Sequence, residues 1–566
     1  MNNVPLSAVL LNRQRNLTAL ETAPELDVLV LGGGVNGAGI FRELSLQNLR
    51  CALVEQNDFA SGASSASTRV AHGGFRYLEQ GRLKLVHESS VERNRLVANA
   101  PHLVRPLQVA VPVESYWGGI VAQARRILGA KLKTGVPGLA LLRLALAFYD
   151  LLGAKDRSLP LRGHLWGAAL RRSFPGLSKR LKGIGWSWEG RIGHPERIVV
   201  ELIEDGIAAH PANAALNHCA LEGWDGDQII LHDRLHGTRI AVKPRLVVNA
   251  TGAWVNHTNR QLGIEQTLVR GSKGSHLLLD NPALHKALNQ RLVFFGDGNS
   301  RMCMAYPLES QVLLGATDIP VDSPDDAVTS EEEIAYLLEA VSRIYPDIPV
   351  SRDQIRFCWY GVRPLPLGGG ASTIGDVSRD HHVATIEAPH LPFPVIALVG
   401  GKWTTFRSAA EQVADRALPL LGQPRLVDTA HLSIGGSHEL PHTNTQRQQW
   451  LDALSARTGL PGNRLRQLLQ RYGSRAERLA HYIAAGPDSP LPDAEEYSER
   501  EIHFLIHQEM AQTLEDVVAR RTTLVLHGTL SERLLSSLQD IISSQGGQPD
   551  RQGLDRYLSN HGVSLA

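Results

Sequence analysis

Arg363 and Arg379 carry the clearest chemistry in this chain. They lie in Y-G-V-R-P (Tyr360 to Pro364) and S-R-D-H (Ser378 to His381), on either side of a glycine-rich turn, Gly368 to Gly370. Two guanidiniums can each fork charge-assisted hydrogen bonds onto an anion, which suits a phosphomonoester. Surface salt bridges are the alternative reading. Upstream, His276 follows Lys273, Gly274 and Ser275 at the start of an apolar strand, V-R-G-S-K-G-S-H-L-L-L (Val269 to Leu279). An imidazole there can face a cleft as a general base or ligand, although a lone histidine is more often structural. Near the other end, Gly32, Gly34 and Gly37 fall in G-x-G-x-x-G spacing, which lets backbone approach a pyrophosphate.

The elements that must position these groups are legible around the glycines. Val28 to Leu31 is an apolar run short enough for a buried parallel strand, Ala38 to Leu49 can be a helix, and Cys51 to Val54 a second strand. Glu55 ends that strand 23 residues after Gly32, where an acid can accept from a ribose hydroxyl. The helix N-terminus offers free N–H groups and partial positive charge to phosphates. Asn36 in the turn and Gln56 beside the acid belong to the same expected contact set. This unit binds an adenine dinucleotide, and by itself leaves NAD and FAD open. The stretch Asn57 to Glu79 is rich in small polar residues, suiting a loop wrapped against a ligand, with Ser64, Ser65, Ser67 and Thr68 as hydroxyl donors. Arg76 and Tyr77 follow directly behind Gly73 and Gly74, and His87 to Asn99 reads as a helix.

Two further strand-to-turn units appear later. Arg245 to Trp254 runs from an apolar strand into Ala250, Thr251 and Gly252, and Val395 to Phe406 runs into Gly400, Gly401, Lys402, Trp403, Thr404 and Thr405. The second repeats the strand, glycine and helix order, so its helix N-terminus can face developing negative charge.

Size and charge bound the rest. At 566 residues and 43% hydrophobic, the chain can bury the cores of two or three domains. A net charge of +1 gives no global argument for nucleic acid, and no nucleic-acid fold signature is present. Cys51, Cys219, Cys303 and Cys358 lack metal-ligand spacing and read as buried thiols in a reducing compartment, so no metal is expected. The first 22 residues lack a signal-peptide pattern, which makes a cytosolic start the expectation. Leu139 to Leu152, broken by Arg143 and Asp150, is too short for a span of about 20 residues. It lies in Val121 to Gly183, where 13 Lys and Arg face two Asp, a local charge of +11. A basic amphipathic surface of that kind can lie on anionic lipid; a solvated basic face over core helices is the alternative.

Three segments, G-G-G-V-N-G-A-G-I, S-S-A-S-T-R-V-A-H-G-G-F-R-Y-L-E and V-E-R-N-R-L-V-A-N-A-P-H-L-V, resemble the FAD-dependent glycerol-3-phosphate dehydrogenase family of the aerobic, respiratory type. The resemblance extends from about Leu26 to about Leu526. It implies FAD rather than NAD, within the D-amino-acid-oxidase-like superfamily. The expected fold class is mixed α/β: a two-dinucleotide-binding-type FAD domain, an antiparallel-sheet substrate domain and a C-terminal α-helical domain. The expected ranges are 25–100, 190–262 and 360–428 for the first, 101–189 and 263–359 for the second, and 445–566 for the third. Ala250 to Gly252 resembles the A-T-G turn that closes over the cofactor in such flavoproteins. Lys273 to His276 resembles the family's K-G-S-H element, Thr317 matches its strand-end G-T-T-D with Ala316 replacing one Thr, and Lys402 is placed near flavin or substrate.

The family resemblance also implies a reaction. A hydride leaves C2 of sn-glycerol 3-phosphate for flavin N5, His276 takes the hydroxyl proton, Arg363 and Arg379 hold the phosphate, and Arg76 and Tyr77 orient the hydroxyl or the developing carbonyl. Electrons then pass to a quinone at the inner face of the cell membrane, where the protein is expected as a peripheral cytoplasmic enzyme; homodimerisation is left open. The alternatives are an oxidase using oxygen, a relative acting on another hydroxy or amino acid, and a non-catalytic flavin-binding sensor. One departure stands out. Where the family carries Asp-Asp-Ala-Arg, this chain has His194, Pro195, Glu196 and Arg197; Arg197 matches, and the lost acids put the local role and the substrate preference in doubt.

Overall fold

The computed structural model describes every residue except 1–10, 79–80, 119–137, 297–300, 368–379, 528–529, 564 and 566. Its first layer grows from the strand Glu25–Leu31, which pairs in parallel with Cys51–Val54 on one side and Thr238–Asn249 on the other. Ala214–Leu216 and Val395–Val399 extend the parallel sheet, and His382–Ile386 closes one edge antiparallel. Both faces are covered, which is why these strands read as continuous apolar runs. Val28 and Val30 pack on one side against the helices Val35–Ser45, Pro195–Ala209 and Phe406–Leu421. Leu29 and Leu31 pack on the other side with Ile229, Leu231 and Ile240. The first helix starts three residues earlier than its apolar pattern suggested, because Gly34 already caps it. It ends at Ser45, where Asn48 turns the chain with φ of 60°.

The second layer is a sheet, ten-stranded among the described residues and centred on Val269–Leu279, which pairs antiparallel with Gln311–Gly315 and Ile319–Val321 on one side and Ile355–Pro366 on the other. It continues through Met302–Leu308, Leu292–Gly296, Val104–Val113 and Gly183–Ile192. One pairing departs from the expected antiparallel sheet: Leu292–Gly296 runs parallel to Val104–Val113. These strands are not joined by a hairpin, so no tight turn dictates their direction. Val70–Ala71 and the end of Ile355–Pro366 also belong here, although ranges drawn on sequence assigned 25–100 and 360–428 to the cofactor domain. Apolar alternation marks a strand without saying which sheet it joins.

The C-terminal part is helical, with Leu454, Leu465, Leu479, Leu505, Leu535 and Leu538 in one core. It docks on the first layer through buried ion pairs. Arg521 forks onto Asp58 at 2.6 and 2.8 Å, His218 meets Asp516 at 2.9 Å, and Arg197 pairs with Glu509. Such pairs fix register more than they stabilise, because desolvation offsets most of the attraction. Asp58, His218 and Asp516 have metal-ligand spacing, yet Arg521 and the His218–Asp516 contact already balance their charge. No described helix is long and apolar enough to cross a membrane. All four cysteines are buried and unpaired with one another.

Candidate active site

A cavity of about 1240 Å³ runs between the two sheets at the carboxyl ends of the parallel strands. One end is built from the glycine turn. Gly32 takes φ of +106°, and a Cβ there would meet the Ala250 carbonyl at 2.8 Å. Gly37 does not line the cavity; a Cβ on it would run into the Gly32 carbonyl, so its role is close packing of helix on strand. Glu55 accepts from the N–H groups of Gly33 (2.7 Å) and Asn57 (3.0 Å). Burial raises its carboxyl pKa, and those two N–H groups oppose the rise. Ser64 Oγ accepts from the N–H of Val35 at 2.9 Å, which folds the serine-rich loop over the helix N-terminus. Gln56, Ser67, Thr68, Ala250, Gly252, Gly401, Lys402 and Trp403 complete this wall, with the Trp403 indole donating to the Ser64 carbonyl at 3.0 Å. Asn36 also lines it, and its buried Oδ1 has no partner among the described residues. A side-chain-free turn, a helix N-terminus, an acid at the second strand end and an orphaned amide oxygen fit an adenine dinucleotide. Gly32→Ala is therefore expected to purify with several-fold less bound FAD, read from the ratio of flavin to protein absorbance.

The other end is built by strand register. His276 sits opposite Trp359 and Gly315, and Arg363 sits opposite Ser272. Four residues along an antiparallel pair keep these side chains on one face. Gly274 lies between them; a Cβ there would collide with the Arg363 guanidinium, so the glycine lets Arg363 lie across the strand. His276 is 2% exposed and stacks on Trp359 with ring centres 5.5 Å apart. Neither of its ring nitrogens has a partner among the described residues. Burial lowers its pKa to about 3, with the charges of Arg363 and Arg69 adding to the effect. Arg363 donates to the Thr317 carbonyl and to Asp318 Oδ1, both at 3.3 Å. Arg76 and Tyr77 reach the same cavity from the short helix Phe75–Leu78. Lys402 Nζ lies 4.2 Å from the centre of the Tyr77 ring and donates to Ser89 Oγ at 2.9 Å. Arg379 and Gly368 to Gly370 lie outside the described residues.

Several expected contacts are placed differently. Thr317 lines the cavity, and its hydroxyl donates to Glu333 (2.6 Å) and accepts from the N–H of Ser275 (2.8 Å). Ser65 donates to the Gly62 carbonyl and lines a separate cavity of about 590 Å³. Thr404 exchanges hydrogen bonds with the backbone of His72 and is not part of the main lining. For Ser65 and Thr404 a nearby backbone group satisfies the hydroxyl, and for Thr317 the Glu333 carboxylate takes its proton, a competition that composition does not reveal. His194, Pro195, Glu196 and Arg197 stand away from the main cavity. Glu196, one of the departing residues, pairs with Arg69 at 3.1 Å, while Arg197, which matches the family motif, pairs with Glu509 of the C-terminal helices. An apolar part of the lining, Val109, Val111, Phe294, Met302 and Met304, was not anticipated. The alternation in Val104–Val113 was the available signal.

Residues 27–405 match the family described as FAD dependent oxidoreductase, and residues 427–551 match the C-terminal domain of alpha-glycerophosphate oxidase. The chain is 30% identical over 542 residues to a glycerol-3-phosphate dehydrogenase of Synechocystis sp., covering 88% of this chain and 89% of that protein. It is 26% identical over 586 residues to an alpha-glycerophosphate oxidase of Streptococcus pneumoniae, covering 92% of each. The structure of a glycerol-3-phosphate dehydrogenase from Bacillus halodurans complexed with FAD shares the fold, with a TM-score of 0.71, 23% identity and 98% of each chain covered. With the cofactor cradle and both domain matches in the same order along the chain, this protein belongs to the FAD-dependent glycerol-3-phosphate dehydrogenase and oxidase family.

Proposed function

We propose that the chain oxidises sn-glycerol 3-phosphate to dihydroxyacetone phosphate and passes the electrons to a quinone at a membrane surface. The observation that carries the first half is the unpartnered, neutral imidazole of His276 on the same sheet face as the Arg363 guanidinium. When bound, FAD supplies the two-electron acceptor for the hydride from C2. The protein's own residues do the rest. Arg363 holds the phosphate as a forked donor, His276 accepts the hydroxyl proton, and the cations Arg76 and Lys402 stabilise charge gathering on the oxygen. Burial keeps bulk water from protonating His276 or solvating the oxygen. Anaerobic addition of glycerol 3-phosphate to the holoprotein should bleach the flavin; unchanged absorbance would exclude this substrate.

The quinone half is supported by surface chemistry. In the helix Leu139–Leu152, Leu142, Leu146 and Tyr149 face inward, while Leu144, Phe148 and Leu151 on the other face are 68%, 40% and 68% exposed. Trp117 and Trp166, both in ring contact with Tyr116, and the cation Arg143 lie alongside, an aromatic and basic fringe suited to a lipid interface. Phe75 and Val111, which line the cavity, also pack with Leu139, Leu142 and Leu146 beneath this helix. The apolar packing beneath the helix thus adjoins the apolar part of the cavity lining. Burial of a large apolar side chain contributes about 1.5–3 kcal/mol. Replacing Leu144, Phe148 and Leu151 with Asp should therefore weaken co-sedimentation with anionic vesicles at least roughly tenfold and leave flavin bleaching unchanged. Reoxidation of the bleached protein by a short-chain quinone, compared with air, separates the dehydrogenase from the oxidase reading that the pneumococcal relative keeps open.

A further inference from the structure

We propose that Glu333, which does not line the cavity, is the positioning residue that holds the base and the phosphate clamp in register. The inference rests on the reading of the site as a glycerol-phosphate site. Glu333 stands at the start of the helix Glu331–Ile344, behind the strand Val269–Leu279. His276 and Gly274 face the cavity from that strand, and the alternate residues Lys273 and Ser275 point the opposite way. Both end on Glu333: Ser275 Oγ donates to it at 2.8 Å and Lys273 Nζ lies 2.7 Å away. Thr317 Oγ1 donates at 2.6 Å and the N–H of Ser330 at 2.9 Å. An ionised carboxylate has about four acceptor positions. This one, 2% exposed, uses all of them, and the hydrogen bonds and the Lys273 ammonium hold its pKa down against burial.

What those bonds hold decides the geometry in front of the strand. Through Ser275, Glu333 fixes the backbone that carries His276. Through Thr317 it fixes the segment whose carbonyl and whose neighbour Asp318 both accept from Arg363, and Ser272 ties Asp318 to the strand as well. One carboxylate therefore sets the distance between the proton acceptor and the anion clamp. A displacement of about 1 Å at a reacting centre can cost on the order of a hundredfold in rate.

Glu333 also closes a helix capping box with Ser330, so a role in helix stability must be separated from positioning. Ser330→Ala removes the Ser330 hydroxyl from that box while leaving Lys273, Ser275 and Thr317 their partner. Two readings on the holoprotein suffice: the rate and apparent Kd of anaerobic flavin bleaching by glycerol 3-phosphate, and the Kd of inorganic phosphate from flavin difference spectra. Glu333→Ala should raise both Kd values and lower the bleaching rate, each at least roughly tenfold, while Ser330→Ala stays within about twofold of the wild type. Glu333→Gln, which keeps the volume, serves if the alanine variant does not fold. It should shift the phosphate Kd together with Thr317→Val in a non-additive way, since both act through one contact. Wild-type kinetics in the Glu333 variants, or an equal shift in Ser330→Ala, would overturn the proposal. A wild-type protein that binds phosphate but is not bleached by glycerol 3-phosphate would overturn the functional reading, while the phosphate Kd still decides the role of Glu333.

Discussion

His276→Ala is expected to lower the rate of anaerobic flavin reduction by about 10²–10⁴-fold, the usual contribution of a positioned general base. FAD content and phosphate affinity should stay near wild type, because the imidazole is neutral and makes no hydrogen bond to the phosphate clamp among the described residues. The pH dependence carries a sharper signature. A base works only when neutral, and its activity is lost as pH falls through its pKa. Burial first, then Arg363 and Arg69, lower the His276 pKa to about 3, so its limb should lie far below the ordinary histidine value of about 6.5. Between pH 8 and 5 the free enzyme should therefore show no limb from His276. The second ionisation of the substrate phosphate, near pH 6, should shape kcat/KM there. A limb near 6.5 that belongs to the enzyme would contradict this placement. Arg363→Ala removes one of the two cations that lower the pKa, so the limb should move upward in that variant.

Arg363→Ala is also the variant expected to damage binding most. Hydrogen bonds to charged groups contribute about 1.5–3 kcal/mol each, so losing a forked guanidinium should raise the Kd for glycerol 3-phosphate by roughly a hundredfold or more. The loss is compounded by Asp318, whose carboxylate would then face the anion without that guanidinium between them. Arg363→Lys should recover only part of the affinity, since an ammonium keeps the charge and loses the planar fork. Glycerol without its phosphate should respond far less to either change. An equal loss for both ligands would mean that Arg363 supports the wall rather than the phosphate.

The glycine turn, the acid at Glu55 and the strands on either side were legible in sequence because each depends on local chemistry. A turn with φ of +106° at Gly32 requires a glycine, and a strand covered on both faces requires an unbroken apolar run. The K-G-S-H stretch likewise determined that His276 and Gly274 share a face, since alternation along a strand has a fixed period. What sequence could not supply is which strand lies alongside. Only the pairing of Val269–Leu279 with Ile355–Pro366 sets Arg363 across Gly274 from His276, through a contact between segments some 90 residues apart. The roles of small polar residues were decided at the same level. Ser65 and Thr404 carry the right hydroxyls, and the folded backbone beside each one determines whether it faces a ligand or is already satisfied. Glu333 shows the converse. In sequence it is one glutamate in a run of three, a solvated helix start; tertiary packing buries it behind the strand and gives it four partners. Local rules determined the cofactor cradle, and only the docking of sheet on sheet and helix on strand assembled the groups that do chemistry beside it.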